Sequence, residues 1–158
     1  MKKILTLTLL IAICLSSLVL ASCNKGGDEP VVTPEINDDG VKEIPAEGHW
    51  ADAIYRTDKT FGEGEKTIQV EVKADSTSVT FTIKTNATTL EEALVENNLV
   101  EGDDGIYGLY IKKVNGILAD YDVDQTYWAV EKNGEKCNTG ASSINIADGE
   151  HYELVRTT

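Results

Sequence analysis

The sequence predicts an α+β fold for the chain after residue 48, with a mixed or antiparallel sheet covered by one helix. Three observations predict it: apolar–polar alternation over residues 67–84, two Asn-Gly pairs between β-prone runs, and a single helix signal near residue 90. Alternation is typical of strands with one buried face, and Asn-Gly adopts the positive φ of a two-residue hairpin turn. We therefore expect hairpins packed against one helix.

The strands are expected in chain order. Residues 67–73 and 78–84 predict two antiparallel strands joined by a turn at 74–77. A first, edge-like strand is expected over 50–56, and a last strand over 150–155. The acidic residues 101–105 are expected to form a loop before two hairpins that turn at Asn115-Gly116 and Asn133-Gly134 and share residues 117–132.

The helix is expected from Thr89 to Asn97. Thr88-Thr89-Leu90-Glu91 matches a capping box, in which a threonine hydroxyl and a glutamate three residues later satisfy the first amides of a helix. Leu90, Ala93 and Leu94 follow at helical spacing. A hairpin, a helix and then several strands is the order of elements in a β-grasp-like domain.

The first 22 residues predict a lipoprotein signal peptide. Two lysines precede an apolar run that ends at Leu20, and Leu20-Ala21-Ser22-Cys23 resembles the bacterial lipoprotein cleavage box. Cys23 is therefore the predicted lipidation site and mature N-terminus. It would anchor the protein to the membrane through lipid, at the extracytoplasmic face. An uncleaved membrane anchor is the alternative, and it gives the same location.

The cysteines agree with this assignment. Cys14 would leave with the signal peptide and Cys23 would carry lipid, so Cys137 would have no partner for a disulfide. No histidine or second cysteine is near Cys137 in sequence. We expect it to be a half-buried small hydrophobic residue.

Residues 23–48 predict a lipid-anchored, flexible and disordered linker. They contain all three prolines of the chain, Pro30, Pro34 and Pro45, and few large apolar side chains. Such a composition buries too little surface to offset the entropy lost on ordering. The predicted organisation is thus a signal peptide at 1–22, a linker at 23–48 and one domain at 49–158.

Charge and motifs exclude several function classes. The chain has 27 acidic and 14 basic residues, a net charge of −13, which repels nucleic-acid phosphates. His49 and His151 lie in no catalytic signature, and the sequence has no Gly-rich phosphate loop or nucleophile elbow. We therefore expect neither an enzyme nor a nucleic-acid partner.

An acidic turn is a candidate calcium site. Asp120, Asp122 and Asp124 have the spacing of the first ligands of a calcium loop, but Gln125 occupies the position where an EF-hand needs glycine. The flanking residues predict strands. Either the three aspartates bind calcium weakly, or they form the soluble tip of a hairpin.

An aromatic pair is a candidate binding element. Tyr127 and Trp128 are adjacent in a predicted strand, so their rings point to opposite faces of the sheet. One ring would enter the core, and the other would be available to stack on a ligand. The alternative is that both rings fill the interface between sheet and helix.

Eight short motifs span the globular part: Thr88 to Leu94, Tyr107 to Ile111, Val114 to Gly116, Asp120 to Asp122, Tyr127-Trp128, Asn133 to Glu135, Thr139-Gly140 and Asp148 to Glu150. With these motifs, residues from about 50 to 158 resemble the transcobalamin-like C-terminal domain, a β-grasp module common in bacterial surface lipoproteins. In vertebrate cobalamin carriers the similar domain closes over one face of the corrin ring. Those carriers add a helical barrel for the opposite face, which has no counterpart in this sequence.

The resemblance implies a ligand and a set of contact residues. The ligand would be cobalamin or a related corrinoid presented to a partner. The implied ligand-binding residues are Tyr127, Trp128, Thr139, Gly140, Asp148 and Gly149. The bacterial relatives also include adhesive and polymer-associated surface proteins. The alternative function is therefore a non-catalytic interaction module for cell-wall polymer or another surface protein.

The lipid anchor is testable by one substitution. Cys23→Ala removes the thiol that would be acylated, so the variant should stay unprocessed or be released to the medium. Mass spectrometry and detergent partitioning of the cell envelope fraction measure this. An unchanged mass and an unchanged partition would contradict the lipoprotein assignment.

Overall fold

The computed structural model describes residues 31–37 and 40–158. The predicted signal peptide, the lipidation site Cys23 and the first part of the predicted linker lie outside these residues. Within them, no helix combines the length and the apolar character needed to cross a bilayer.

Short strands and hairpins make up most of the described chain. The strands are β1 (Glu35–Ile36), β2 (Lys42–Glu43), β3 (Lys59–Phe61), β4 (Lys66–Ala74), β5 (Thr77–Thr85), β6 (Val100–Gly105), β7 (Gly108–Val114), β8 (Ile117–Leu118), β9 (Tyr127–Lys132), β10 (Glu135–Lys136) and β11 (His151–Thr157). The helices are α1 (Leu90–Glu96), α2 (Tyr121–Asp124) and two 3₁₀ turns, Gly48–Asp52 and Ala141–Ser143.

The main sheet has six strands in the order β10-β9-β11-β4-β5-β3. β11 runs parallel to β4 and β3 runs parallel to β5, whereas the other neighbours are antiparallel. A second sheet has the order β6-β7-β8, and β1 pairs with β2. The prediction of a mixed sheet in an α+β fold with one covering helix is confirmed.

Alternation along β4 and β5 builds the core. Ile68, Val70 and Val72 are fully buried, and so are Phe81 and Ile83 on the neighbouring strand. The intervening side chains point to the other face, where most are partly exposed or exposed. Each buried apolar side chain of this size contributes about 1.5–3 kcal/mol. The predicted strands 67–73 and 78–84 are therefore confirmed.

Helix α1 covers this apolar face with Leu90, Ala93 and Leu94, which are all fully buried. The predicted helix is confirmed, but the register of its cap is one residue later than expected. Thr89, not Thr88, is the N-cap, because its hydroxyl accepts a hydrogen bond from the Glu92 amide. The Glu92 carboxylate in turn accepts from the amides of both threonines.

The two Asn-Gly turns are where the sequence places them. Asn115 and Asn133 have φ of 53°, and the glycine after each also has a positive φ, as a type I′ turn requires. The acidic residues 101–105, expected as a loop, form strand β6 instead. β6 pairs with β7 and makes a third hairpin. The sequence did not predict this hairpin, because β6 contains too few apolar residues to show alternation.

Trp50 anchors a 3₁₀ turn, so the strand predicted over residues 50–56 is wrong. Its side chain is fully buried, and its indole N–H donates to the carbonyl of Ala74 at 3.0 Å. A single large side chain holds this segment against the end of β4. The contact between Trp50 and β4 does not require the alternating apolar pattern of a strand.

The described part of the predicted linker also packs on the domain. Val32 and Ile44 are buried, and the Ile44 amide donates to the carbonyl of Arg56 at 2.9 Å. Residues 35–43 form the β1–β2 hairpin. Two isolated apolar side chains thus hold parts of residues 31–37 and 40–48 against the domain, a packing that the composition of this segment did not indicate.

The cap register predicts a difference between two adjacent threonines. Thr89→Ala removes the capping hydroxyl and should lower the free energy of unfolding by about 1 kcal/mol. Thr88→Ala, the matched control, should change it much less, since only the main chain of Thr88 takes part. Urea denaturation followed by circular dichroism measures both. Equal effects of the two substitutions would contradict the assigned register.

Candidate functional site

The three aspartates of the acidic turn do not form a hairpin tip. Residues 121–124 form α2, a single helical turn. Asp120 caps it by accepting from the Asp122 amide at 3.1 Å, and Gln125 ends it with a φ of 62°. Strands flank the segment as predicted, but β8 and β9 do not pair with each other, so no hairpin tip forms here. An aspartate cap and a left-handed residue favour a helical turn instead.

Two of these carboxylates already have partners. Asp120 lies 3.3 Å from the ammonium of Lys112, and Asp124 accepts from Arg156 at 2.6 Å. A hydrogen bond from the Thr126 hydroxyl is the main cause that lowers the pKa of Asp124. In the described part of the chain, no three His, Cys, Asp or Glu side chains are grouped as a metal site requires. The calcium hypothesis gains no support from this arrangement.

A cleft of about 240 Å³ lies between β7, β9 and the segment that follows β10. We call it the β9 cleft. The residues that line it are Leu109, Tyr110, Ile111, Tyr127, Trp128, Ala129, Val130, Lys136, Cys137, Asn138, Thr139, Gly140 and Ala141. Four of the six residues implied as ligand-binding, Tyr127, Trp128, Thr139 and Gly140, are thus brought together.

The cleft exists because residues 137–141 leave the edge of β9. The Cys137 amide donates to the carbonyl of Val130 at 2.8 Å, which continues the pairing of β10 for one more residue. The chain then separates and enters the 3₁₀ turn, where Ala141 is buried. Further along, the Leu90 amide donates to the Ile144 carbonyl at 2.9 Å. The segment is therefore held at both ends, and the cleft lies between it and β9.

The β6–β7 hairpin forms the rim of the cleft. The Ser142 hydroxyl donates to the carbonyl of Tyr107 at 2.8 Å, which ties the hairpin to the 3₁₀ turn. Gly108, with a φ of 95°, lies against Ser142, and any side chain there would clash. Ile106 and Tyr107 at the tip are 91% and 84% exposed.

Trp128 is the inward member of the aromatic pair. Its side chain is only 7% exposed, yet its indole N–H has no hydrogen-bond partner. It is the one buried side-chain nitrogen or oxygen without a partner among residues 31–37 and 40–158. Leaving such a donor unpaired costs about 1–3 kcal/mol. The indole of Trp50, in contrast, donates to a carbonyl.

Tyr127 is half-buried on the other face of β9 and contacts Lys136. The lysine ammonium donates to the Tyr127 hydroxyl at 2.7 Å and lies 5.1 Å from the centre of its ring. Cys137, the next residue, is half-buried as predicted. Burial raises the pKa of its thiol, so this lining residue is uncharged at neutral pH.

Asp148 and Gly149 lie away from the β9 cleft. Both contact the start of β4: an Asp148 carboxylate oxygen accepts from the Thr67 amide at 2.7 Å, and the Gly149 amide donates to the Thr67 carbonyl at 2.8 Å. The implied assignment of these two residues to one ligand surface with Trp128 is not supported by the structure. Their contacts connect the last turn to the sheet.

Glu150, the third residue of that turn, forms a compact polar cluster. Burial alone would raise the pKa of its carboxyl, but hydrogen bonds from the Lys132 ammonium, the Tyr152 hydroxyl and the Ala147 amide lower it to about 2. The lysine nitrogen is 2.5 Å from the carboxylate. Burial is also the main cause that raises the pKa of Tyr152, which therefore stays protonated.

Nine of the thirteen lining residues were not among the expected ligand-binding residues, and these nine include Tyr110, Lys136 and Cys137. The Asn133-Gly134 turn carried a usable signal for two of them. A two-residue turn pairs Lys132 with Glu135, so the next residues must run beside β9. The side of Tyr110 could not be deduced, because it depends on how the second sheet packs against the first.

A larger hollow of about 440 Å³ lies beside the β4–β5 turn. Its charged residues are already satisfied: Lys73 is paired with Glu71 and Glu153, and Asp75 accepts from the main chain and ring of His49. None of its lining side chains is a buried donor without a partner in the described chain. The β9 cleft is therefore the better candidate site, although it is smaller.

Comparisons with known proteins place this domain in a family. The crystal structure of a proposed metal-binding protein from Ruminococcus gnavus ATCC 29149 is 40% identical, with a TM-score of 0.56. The similarity covers 59% of this chain and 97% of that protein. The chain belongs to the same family as the Ruminococcus protein. Residues 87–152 also match the model of DUF4430, a domain of unknown function, and this range includes the whole β9 cleft.

A second solved structure, haptocorrin in complex with Cbi, is 22% identical with a TM-score of 0.46. The similarity covers 62% of this chain but 26% of haptocorrin. No curated protein matches the chain.

The Glu150 cluster predicts acid sensitivity. Its carboxyl has a pKa of about 2 in the folded protein and an ordinary value of 4.5, so its contribution to stability is present above pH 4.5 and is lost as the pH falls towards 2. Glu150→Gln should therefore destabilise the domain at pH 7 and have a smaller effect near pH 2.

Thermal unfolding at a series of pH values measures this prediction. Glu135→Gln changes an exposed carboxylate on β10 and is the matched control. A destabilisation by Glu150→Gln that stays constant from pH 7 to pH 2 would contradict the cluster as described.

Proposed function

We propose that the protein is a lipid-anchored extracytoplasmic binding module, without catalytic activity, that takes a group of its ligand into the β9 cleft. The observation that carries this proposal is the indole N–H of Trp128, which is buried and has no partner in the described chain. Trp128 lines the β9 cleft together with three other residues that the family resemblance implies as ligand contacts.

The energetic argument concerns this donor. Folded proteins pair nearly all buried polar groups, because an unpaired one costs about 1–3 kcal/mol. Exceptions concentrate where function maintains them. The indole nitrogen is itself fully buried, so a ligand acceptor reaches it only when the surrounding side chains move. Pairing would then recover the free energy that the unpaired donor costs in the free domain.

The size of the cleft limits what enters it. Clefts that enclose whole small-molecule ligands are typically about 300–1,000 Å³, and the β9 cleft measures about 240 Å³. It therefore suits one substituent or one ring of a ligand. The rest of the ligand would lie over Tyr110, which is 49% exposed, and the β6–β7 hairpin.

A corrinoid such as cobalamin is the ligand that the family resemblance suggests. On this hypothesis a peripheral substituent of the corrin enters the β9 cleft, and only one face of the ring is covered. One-sided burial gives modest affinity, so we expect a dissociation constant in the micromolar range, about −8 kcal/mol.

The alternative function is an interaction module for cell-wall polymer or another surface protein. The observation that favours it is the exposed tip of the β6–β7 hairpin, where Ile106 and Tyr107 are almost fully exposed beside the cleft. Adjacent exposed apolar and aromatic side chains often mark contact surfaces. On this hypothesis the hairpin tip, and not the cleft, carries the binding energy.

The experiment that tests the proposal is a titration of the lipid-free domain with cobalamin by calorimetry. Trp128→Phe keeps most of the ring and removes only the N–H, so it should weaken binding by about fivefold, the value of one ordinary hydrogen bond. Tyr121→Ala, the control, removes an exposed tyrosine that does not line the cleft and should bind like the wild type.

Two results would contradict parts of the proposal. An absence of heat up to several hundred micromolar cobalamin would exclude a corrinoid as the ligand. If cell-envelope material binds the wild type and Trp128→Phe equally, but not Tyr107→Ala, then the interaction-module alternative is correct.

A further inference from the structure

The chain joins the domain at one end of the main sheet, which we call the β4–β5 end. Val32 is buried there, and its amide donates to the carbonyl of Asp75 in the β4–β5 turn at 3.4 Å. The predicted lipidation site, Cys23, precedes Val32 by nine residues. Because nine residues span at most about 32 Å, a lipid on Cys23 would hold the β4–β5 end within that distance of the bilayer surface.

The tip of the β6–β7 hairpin lies at the opposite end of the domain. Lys66 begins β4, and its ammonium donates to the carbonyl of Ala87 shortly before α1. In the first turn of α1, the Glu91 carboxylate accepts from the amide of Leu109, which is two residues from Tyr107 at the tip. β4 has nine residues and is therefore about 30 Å long, and this length separates the tip from the β4–β5 end.

The two lengths together orient the domain. If the β6–β7 tip faced the bilayer, the nine residues after Cys23 would have to be fully extended along the whole length of β4. If the β4–β5 end faces the bilayer, any shorter span is sufficient. Full extension costs conformational entropy, so the orientation with the β4–β5 end towards the bilayer is favoured.

The β4–β5 end also exposes apolar side chains. Six of the eleven large apolar side chains exposed among residues 31–37 and 40–158 belong to two segments at this end: Val31, Ile36, Val41, Leu118, Tyr121 and Val123. Neighbouring exposed apolar groups mark contact surfaces for other molecules or for membranes.

Contacts with the β4–β5 turn and with β11 place both segments at this end. Ile36 of the β1–β2 hairpin lines one hollow together with Ser76 of the turn. Arg156 of β11 lines another hollow beside the same turn. Its guanidinium donates to the Leu118 carbonyl at 3.1 Å and to Asp124 of α2 at 2.6 Å. The β1–β2 hairpin and the β8–α2 segment therefore flank the turn.

The charges of the protein select the kind of lipid surface. The net charge is −13, and both apolar segments carry exposed carboxylates, such as Glu35 and Asp122. Anionic headgroups would be repelled. Zwitterionic headgroups have no net charge, and contact with them depends on the apolar area that reaches the interface. The β4–β5 end therefore fits a zwitterionic lipid surface.

We propose that the β4–β5 end is the membrane-contacting face of the domain, with Ile36 and Val123 against the lipid surface and the β6–β7 tip pointing away from it. This inference rests on the proposed lipid anchor at Cys23, and it does not depend on what the β9 cleft binds. The tip residues Ile106 and Tyr107 are then presented to molecules beyond the membrane.

Energy transfer from the domain to a lipid dye tests this orientation. The mature lipidated protein is inserted into phosphatidylcholine vesicles that carry an acceptor dye on some headgroups. A donor dye is attached to one cysteine, from either Ser76→Cys or Tyr107→Cys, in a Cys137→Ser background. Both labelled positions are exposed. Transfer from position 76 should be at least about twofold stronger, because the two positions are separated by about the length of β4, roughly 30 Å.

Two charged substitutions test the apolar contact. Ile36→Glu and Val123→Glu each put a carboxylate against the lipid surface, so each should weaken the transfer from position 76. Ile106→Glu, the matched control, changes an exposed apolar residue at the opposite end and should leave this transfer unchanged. Vesicles of phosphatidylglycerol should also give weaker transfer, because their headgroups repel the acidic domain.

The outcomes separate this inference from the proposed anchor. Equal transfer from the two positions, or stronger transfer from position 107, in a protein whose mass shows lipid on Cys23 would overturn this inference alone. A mature protein without lipid on Cys23 would overturn the proposed anchor and this inference together. If Ile36→Glu and Ile106→Glu weaken the transfer equally, the apolar contact with the bilayer is wrong.

Discussion

The structure depends on β11, the strand at the centre of the main sheet. It runs parallel to β4 on one side and antiparallel to β9 on the other, so it joins the core hairpin to the strand that carries the cleft. Its position requires charged side chains to be buried. Glu153 is paired with Lys73, and Arg156 donates to Asp124 and to the Leu118 carbonyl. Removing one partner of such a pair costs far more than the pair itself contributes.

The sequence predicts well the elements that have a periodic pattern of apolar residues. It predicts poorly the segments whose position depends on one buried side chain. β4, β5, α1 and the Asn-Gly turns follow from alternation, helical spacing and turn chemistry. The cap register was ambiguous, because Thr88 and Thr89 are adjacent and so are the two following glutamates. Trp50, Val32 and Ile44 each fasten a segment through one buried side chain. An isolated apolar residue has no period, so its burial can be known only from the partner it meets.

The candidate site shows the same division. The aromatic pair in β9 was recognisable from its residue types, but not which ring is inward, since that depends on the position of β11 and of the second sheet. The family resemblance implied that the turn at Asp148 contacts a ligand. In the structure this turn hydrogen-bonds to the start of β4. An unpaired donor is invisible in a sequence. Whether the Trp128 N–H is paired depends on the positions of all neighbouring acceptors in the folded chain.

The central position of β11 also sets the order in which the domain can form. Lys73 and Glu153 pair across 80 residues of chain, so the sheet closes through contacts that are remote in sequence. A polypeptide emerging amino end first can make the β4–β5 hairpin early. The outer edge of β4 must then remain open until residues 151–157 have been synthesised. During that interval its valine-rich strand is a template for pairing with other chains. A chaperone that binds this edge during synthesis would therefore prevent such pairing.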